Sequence, residues 1–359
     1  MSDYYLILVV ILGLLAIADL MVGVSNDAVN FLNSAIGSKV VSFKTLMIIA
    51  SLGVAFGAIS SSGMMEVARK GIFNPEMFVF SEIMMIFMAV MITDILLLDV
   101  FNSYGLPTST TVSIVFELLG AAVVISLIKL SALDLSFVEL SDYINTSKAT
   151  QIIFGIFLSV IVAFSIGALI QFISRIILSF KFEEKAKWMG SLFGGIALTS
   201  IFYFIVIKGL KGTPYSENQY DILGGLSISN FIDINLTMIV LLSLLILTIL
   251  SYLFNSVFKL NIYTLIICVG TFALALAFAG NDLVNFIGVP IAGYESFLAW
   301  SASGVSAESF TMEILSEKVS APTFILLGAG IIMVLTLWTS SKAKSVIKTS
   351  IDLSRQEET

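Results

Sequence analysis

No histidine occurs anywhere in the 359 residues, and cysteine occurs once, at Cys268. The first absence removes the commonest zinc ligand and the usual general base. The second excludes disulfides, and because Cys268 lies within an apolar run it reads as a small buried hydrophobe rather than a working thiol. Charge is scarce too. Asp, Glu, Lys and Arg make up 12% of the chain, against roughly 25% in soluble domains. A phosphate-binding P-loop and a nucleophile elbow are also missing, so an enzyme is a poor fit. The opening "MSDYYLILVV" has no basic stretch before its apolar run, and so reads as a retained first helix, not a cleaved signal peptide. The net charge of −7 disfavours nucleic acid as a partner.

What remains is apolar. With 58% hydrophobic residues, the chain fits one class well, an all-α polytopic membrane protein whose partner is the lipid bilayer. Runs of spanning length fall near 4–24, 43–62, 78–101, 110–131, 150–178, 188–209, 236–258, 260–280 and 319–340. The lysines gather in "SFKFEEKAK" at 179–187, the turn "FNSVFKLN" and the tail "SSKAKSVIK". The 132–149, 210–235 and 281–318 segments are acidic on balance. An even number of crossings separates the basic sites, and excess Lys and Arg marks the cytoplasmic face. The C-terminus is therefore expected inside and residue 1 outside, in the cell (inner) membrane. Arg69 and Lys70 disagree with that orientation.

Two polar heptapeptides interrupt this pattern. "SNDAVNF" at 25–31 is echoed by "GNDLVNF" at 280–286, matching at Asn26/Asn281, Asp27/Asp282, Val29/Val284, Asn30/Asn285 and Phe31/Phe286. With the expected orientation, the helix leading into the first runs inward and the helix leading into the second runs outward. Duplicated motifs in opposite orientations are the signature of an inverted-repeat transporter, with its site at the repeat interface. A second echo, "SSSGMMEVARKGI" at 60–72 and "TSSKAKSVIKTSI" at 339–351, follows the same duplication. If helical, Asn26 and Asn30 share a face with Asp27 beside them. Carboxylate and amide oxygens suit a hard cation such as Na⁺ at Asp27 and Asp282, and amide N–H groups suit an oxyanion. The competing reading is an ordinary helix cap.

A third feature is "NSYGLPTSTTVS" at 102–113. Gly105 and Pro107 break a helix, and Pro107 pre-sets a new start. Ser109, Thr110, Thr111 and Ser113 follow at once. A restarting helix offers free N–H groups and the positive end of its dipole to an anion. Such backbone is tolerated at membrane depth only where it is buried or lines a wet cavity, which favours a re-entrant hairpin. The alternative is an extramembrane loop with a Ser/Thr cap. Asp19, Asp94, Asp99 and Glu117 lie inside apolar runs, are costly in lipid, and read as ion coupling, proton relay or structural hydrogen bonding. Glu117 shares a helix face with Ser113 and Thr110, and Asp19 shares one with Asp27.

These residues together resemble the PiT family of inorganic phosphate transporters, whose members carry an Asn-Asp motif twice in inverted repeats, each with a Pro-Ser-Thr-Thr-type hairpin. Ser25–Asn30, Gly105–Thr111 and Gly280–Asn285 carry the resemblance, in the family's order. It implies symport of inorganic phosphate with Na⁺ or H⁺ and no other cofactor. Asn26, Asp27, Asn30, Asn281, Asp282 and Asn285 would line the centre, with Ser109, Thr110 and Thr111 donating to phosphate. Coupling would fall to Asp27 and Asp282, with Glu117, Asp19 and Asp94 as further candidates. Val112 stands where many members place a histidine, which makes Glu117 more interesting. The repeats would occupy 1–131 and 259–359, joined by transmembrane helices in 132–258. The second hairpin would fall beyond Thr359, so the second repeat is expected to be incomplete. A longer chain would supply the remainder, or a partner chain in a homodimer. Two other readings stand beside phosphate symport: a sulfate permease of the same fold, and an anion-binding receptor or scaffold that moves nothing.

Overall fold

The computed structural model describes residues 2–61, 72–178, 186–210, 213–316 and 322–354. Ten helices of more than one or two turns carry the fold: α1 Ser2–Ser38, α2 Phe43–Ser60, α3 Phe80–Tyr104, α4 Thr110–Ala132, α5 Thr146–Leu178, α6 Ser191–Ile205, α7 Ile228–Ser256, α8 Ile262–Ser303, α9 Thr323–Thr339 and α10 Ser341–Ser354. Among the described residues, the first eight are long and apolar enough to cross a membrane, α6 through an extension to Trp188–Ile207. A ninth is added if α9 and α10, bent by 66° at Ser340, count as one broken span. The chain is an integral, multi-pass membrane protein. α5 shows what this means for packing, since its 33 residues bury no side chain within the protein and its apolar surface suits lipid on all sides.

The chain divides into two compact units, one of 1–30, 64–154 and 281–359 and the other of 31–63 and 155–280. In the first unit, α1 and α8 pack antiparallel. Tyr5 lies edge-on to Trp300 at 5.0 Å between ring centroids, a Cβ on Gly293 would lie 2.7 Å from Leu12, and one on Gly23 would collide with the ring of Phe286. Phe80 of α3 stacks on Trp300 at 4.6 Å, so one aromatic cluster ties three helices together at this end. The segments before α3 and after α8 are stitched by backbone hydrogen bonds, Met312 N–H to Phe78 O at 3.1 Å and Phe80 N–H to Phe310 O at 2.9 Å.

The break between α3 and α4 follows local chemistry. α3 ends at Gly105, which adopts the left-handed conformation at φ +68° that only glycine enters without a Cβ penalty. Its N–H and that of Leu106 cap the carbonyls of Asn102 and Phe101 at 3.1 and 2.9 Å. After Pro107, Ser109 restarts the chain as the N-cap of α4, its hydroxyl accepting from Val112 N–H at 3.3 Å. At the other end of the hairpin Glu82 accepts from Val79 N–H at 2.9 Å and pairs with Lys129 at 3.0 Å. The bend between α9 and α10 is also a cap, since Ser340 takes an extended conformation and its hydroxyl accepts from Ala343 N–H at 3.1 Å.

In the second unit, α2 lies against the first half of α8 through glycine. A Cβ on Gly53 would stand 2.5 Å from the carbonyl oxygen of Phe272, and one on Gly57 would strike that of Leu276. Gly194 and Gly195 of α6 admit Ser251 and Thr248 of α7 in the same way. A two-residue antiparallel ribbon, Gln219–Tyr220 with Leu226–Ser227, leads into α7.

One expectation changes here. The apolar runs put the Asn-Asp motifs at the ends of spanning helices, but both lie inside continuous ones. α1 runs 37 residues and α8 runs 42, about 56 and 63 Å at 1.5 Å per residue. Each is long enough to carry a polar segment beyond a hydrophobic span, and neither motif caps a helix. The 281–318 segment is accordingly helical through Ser303. Most of the echo at 60–72, with Arg69 and Lys70, lies outside the described residues.

Candidate functional site

The candidate site lies entirely in the first unit and is assembled from α1, the α3–α4 break and the second half of α8. Asn26, fully buried, is the staple. Its Oδ1 accepts from Thr108 N–H at 2.8 Å, and its Nδ2 donates to Asn102 Oδ1 at 2.8 Å and to Leu106 O at 3.1 Å. Asn102 donates in turn to Val22 O at 2.7 Å. The broken stretch between Gly105 and Ser109 has backbone groups that no helix satisfies, and two amide side chains do it instead. Both amide protons of Asn26 are thereby committed to the hairpin. The residue that the resemblance places at the centre thus holds the backbone leading into α4.

That start is held between the two aspartates. Thr110 Oγ1 donates to Asp27 Oδ2 at 3.1 Å. The next residue, Thr111, lies close enough to Asp282 to act on its carboxyl and accepts from Asn285 Nδ2 at 2.9 Å. Consecutive hydroxyls on one helix turn thus reach the same position of the two motifs, on two antiparallel helices. Asp27, Asp282 and Asn285 are buried, and Asp27 and Asp282 are close enough to feel each other's charge. The N–H groups of Thr110 and Thr111 open α4 with no intrahelical acceptor, adding the positive end of a helix dipole to the same spot.

The remaining expected residues separate. Ser109 and Asn30 are exposed, with Ser109 acting as the N-cap. The side chain of Asn281 lies outside the described residues. Asp99 is on the surface in a 2.5 Å ion pair with Lys342 of α10, which accounts for a carboxylate inside an apolar run without any role at the centre. Asp19, Asp94 and Glu117 come together, with Ser113 Oγ 2.6 Å from Asp94 Oδ1 and 2.7 Å from Glu117 Oε1. Two residues were not singled out from sequence. Asn102 carried a faint signal, an amide ahead of the Gly-Leu-Pro break. Ser340, whose hydroxyl meets that of Ser25 at 2.8 Å, carried none, because only the fold brings α10's cap to the first motif.

Among the described residues no group of three or more carboxyl, thiol or imidazole side chains has the arrangement to hold a metal ion by itself. A cation at Asp27 and Asp282 would therefore draw on the hydroxyl and amide oxygens beside them.

Comparison with known proteins agrees with this architecture. A protein of Thermococcus kodakarensis named as a phosphate permease is 26% identical over 320 residues, covering 86% of this chain and 68% of the relative. A solved structure described as the sodium-dependent phosphate transporter superposes with a TM-score of 0.62 at 17% identity, over 96% of this chain and 77% of that one, and so shares the fold. The phosphate transporter family model matches residues 23–350. That stretch takes in both Asn-Asp motifs and the hydroxyl-bearing break, and the chain belongs to the phosphate transporter family.

Proposed function

We propose that this protein carries inorganic phosphate across the membrane by symport with a cation, Na⁺ or H⁺. The observation that carries the reading is the hydrogen bond of Thr110 to Asp27, with Thr111 tied to the second motif through Asn285 beside Asp282. The hydroxyls and free N–H groups are donors for an anion, yet the hydroxyls are spent on carboxylates. A cation taken up by Asp27 and Asp282 displaces those hydroxyl protons, which then turn to phosphate oxygens. Binding of the cation and binding of the anion thereby favour each other, and the cation offsets the cost of carrying a multiply charged anion through a low-dielectric interior.

The antiparallel packing of α1 on α8 supports an inverted repeat with the two motifs in equivalent places. The distribution of lysines supports a cytoplasmic C-terminus in a cell membrane. Uptake of labelled phosphate into proteoliposomes tests the reading. Accumulation driven by an inward Na⁺ or proton gradient is expected, and no uptake under either gradient by the folded protein would sink it. Sulfate added in excess separates the tetrahedral anions: a sulfate permease would lose phosphate uptake to competition.

A further inference from the structure

Asp19 is a buried acid of α1 that the candidate site does not use. It is 0% exposed, and neither of its carboxyl oxygens has a hydrogen-bond partner. Burying an unpaired carboxylate is costly enough that such groups take up a proton, a cation or a donor. What faces Asp19 is another acid. Asp94 lies close enough to act on it, as Glu117 does on Asp94, and Ser113 joins those two by contact. Asp94 is also 0% exposed, and one oxygen of Asp94 and one of Glu117 have no partner. The charges that reach Asp19 are those of Asp94 on α3, Glu117 on α4 and Asp27 on its own helix, all carboxyl groups. Beyond Asp27 stands Asp282 of α8. The lysines paired in this unit, Lys129 and Lys342, are engaged with Glu82 and Asp99.

Counting protons constrains the cluster. Ser113 has a single hydroxyl proton, yet its oxygen is 2.6 Å from Asp94 and 2.7 Å from Glu117. It donates to one, so the other contact is a hydrogen bond only if that carboxyl donates to Ser113. We propose that Asp19, Asp94 and Glu117, bridged by Ser113, form a proton-holding site of their own, distinct from the Asp27–Asp282 pair. Glu117 and Ser113 also line a cavity of about 720 Å³ between α3 and α4 that reaches Thr108 and Ser109. Protons enter there, pass along Glu117, Ser113 and Asp94 to Asp19, and balance the charge at Asp27 two helical turns away. The role in driving transport rests on the symport reading, whereas the presence of the protons does not.

Infrared difference spectroscopy on the full chain in liposomes, in H₂O and D₂O, reads protonated buried carboxyls directly. Near neutral pH a carbonyl band that shifts on deuteration is expected. Asp19→Asn, Asp94→Asn and Glu117→Gln should each diminish it, and Asp99→Asn should leave it intact. Ser113→Ala keeps all three carboxyls and should move the band without removing it, which serves if an acid variant fails to fold. No such band, or one indifferent to all three acid substitutions, overturns the proposal. So does a band erased by Na⁺ at constant pH, which would assign the cluster to a sodium ion. Phosphate uptake by the same liposomes is scored separately. Uptake without the band rejects the proton site alone, and the band without uptake rejects symport while leaving the site standing.

Discussion

Thr110 donates its hydroxyl proton to Asp27 at 3.1 Å, a bond between the first residue of one helix and the middle of another. It joins the anion-suited end of α4 to a buried carboxylate. Removing the hydroxyl in Thr110→Val leaves Asp27 without that donor, and phosphate without the one the symport reading turns to it. A hydrogen bond to a charged group contributes about 1.5–3 kcal/mol, so initial phosphate uptake in proteoliposomes should fall about tenfold or more, tenfold being about 1.4 kcal/mol. Thr110→Ser should recover most of the rate.

Asp27→Asn keeps the shape and the acceptor but discards the charge, and should abolish gradient-driven uptake. Asp282→Asn should do the same, because Thr111 and Asn285 give it the equivalent setting on α8. Asp99→Asn should be much milder. Its ion pair with Lys342 is solvent-exposed on both sides, and exposed pairs contribute about 0–1 kcal/mol. Equal, mild effects at all three positions would reject the site assignment.

Asn26→Ala removes three hydrogen bonds that hold the α3–α4 break and strands buried backbone groups. At about 1–3 kcal/mol for each buried group left unsatisfied, thermal unfolding in detergent should move down by several degrees. Asn26→Asp should not rescue it, since the carboxylate cannot donate to Asn102 and Leu106. Unchanged stability in both variants would mean the break is held by something else.

Gly57→Ala tests the second unit. The added methyl would meet the backbone of α8 at Leu276, and backbone cannot rotate aside as a side chain can. A loss of about 1–3 kcal/mol is expected from overpacking, read as a lower unfolding temperature. Gly120→Ala on α4, where a Cβ meets nothing, is the control and should be neutral or slightly stabilising.

Much of this was legible in the chain itself. Spans announce themselves because lipid demands about 20 apolar residues in a row, and the runs at 78–101 and 110–131 correspond to α3 and α4 within a few residues. The polar break at 102–113 was readable because Gly105 and Pro107 have backbone preferences independent of context. Helix ends were less visible. α1 and α8 continue past their polar motifs because nothing in Asn-Asp-x-x-Asn forbids a helix, and hydropathy drops there for a reason unrelated to backbone shape.

By itself, then, the sequence determined the class, the repeated motif and the hydroxyl-rich helix start, since composition, identity in register and the local preferences of glycine and proline are properties of the chain. Tertiary structure alone decided which polar groups meet. It turned Asn26 toward the hairpin backbone, gave Asp27 and Asp282 one threonine each, sent Asp99 to Lys342, and closed Asp19, Asp94 and Glu117 on one another. These are contacts between different helices, and no periodicity within a helix specifies the partner across the gap.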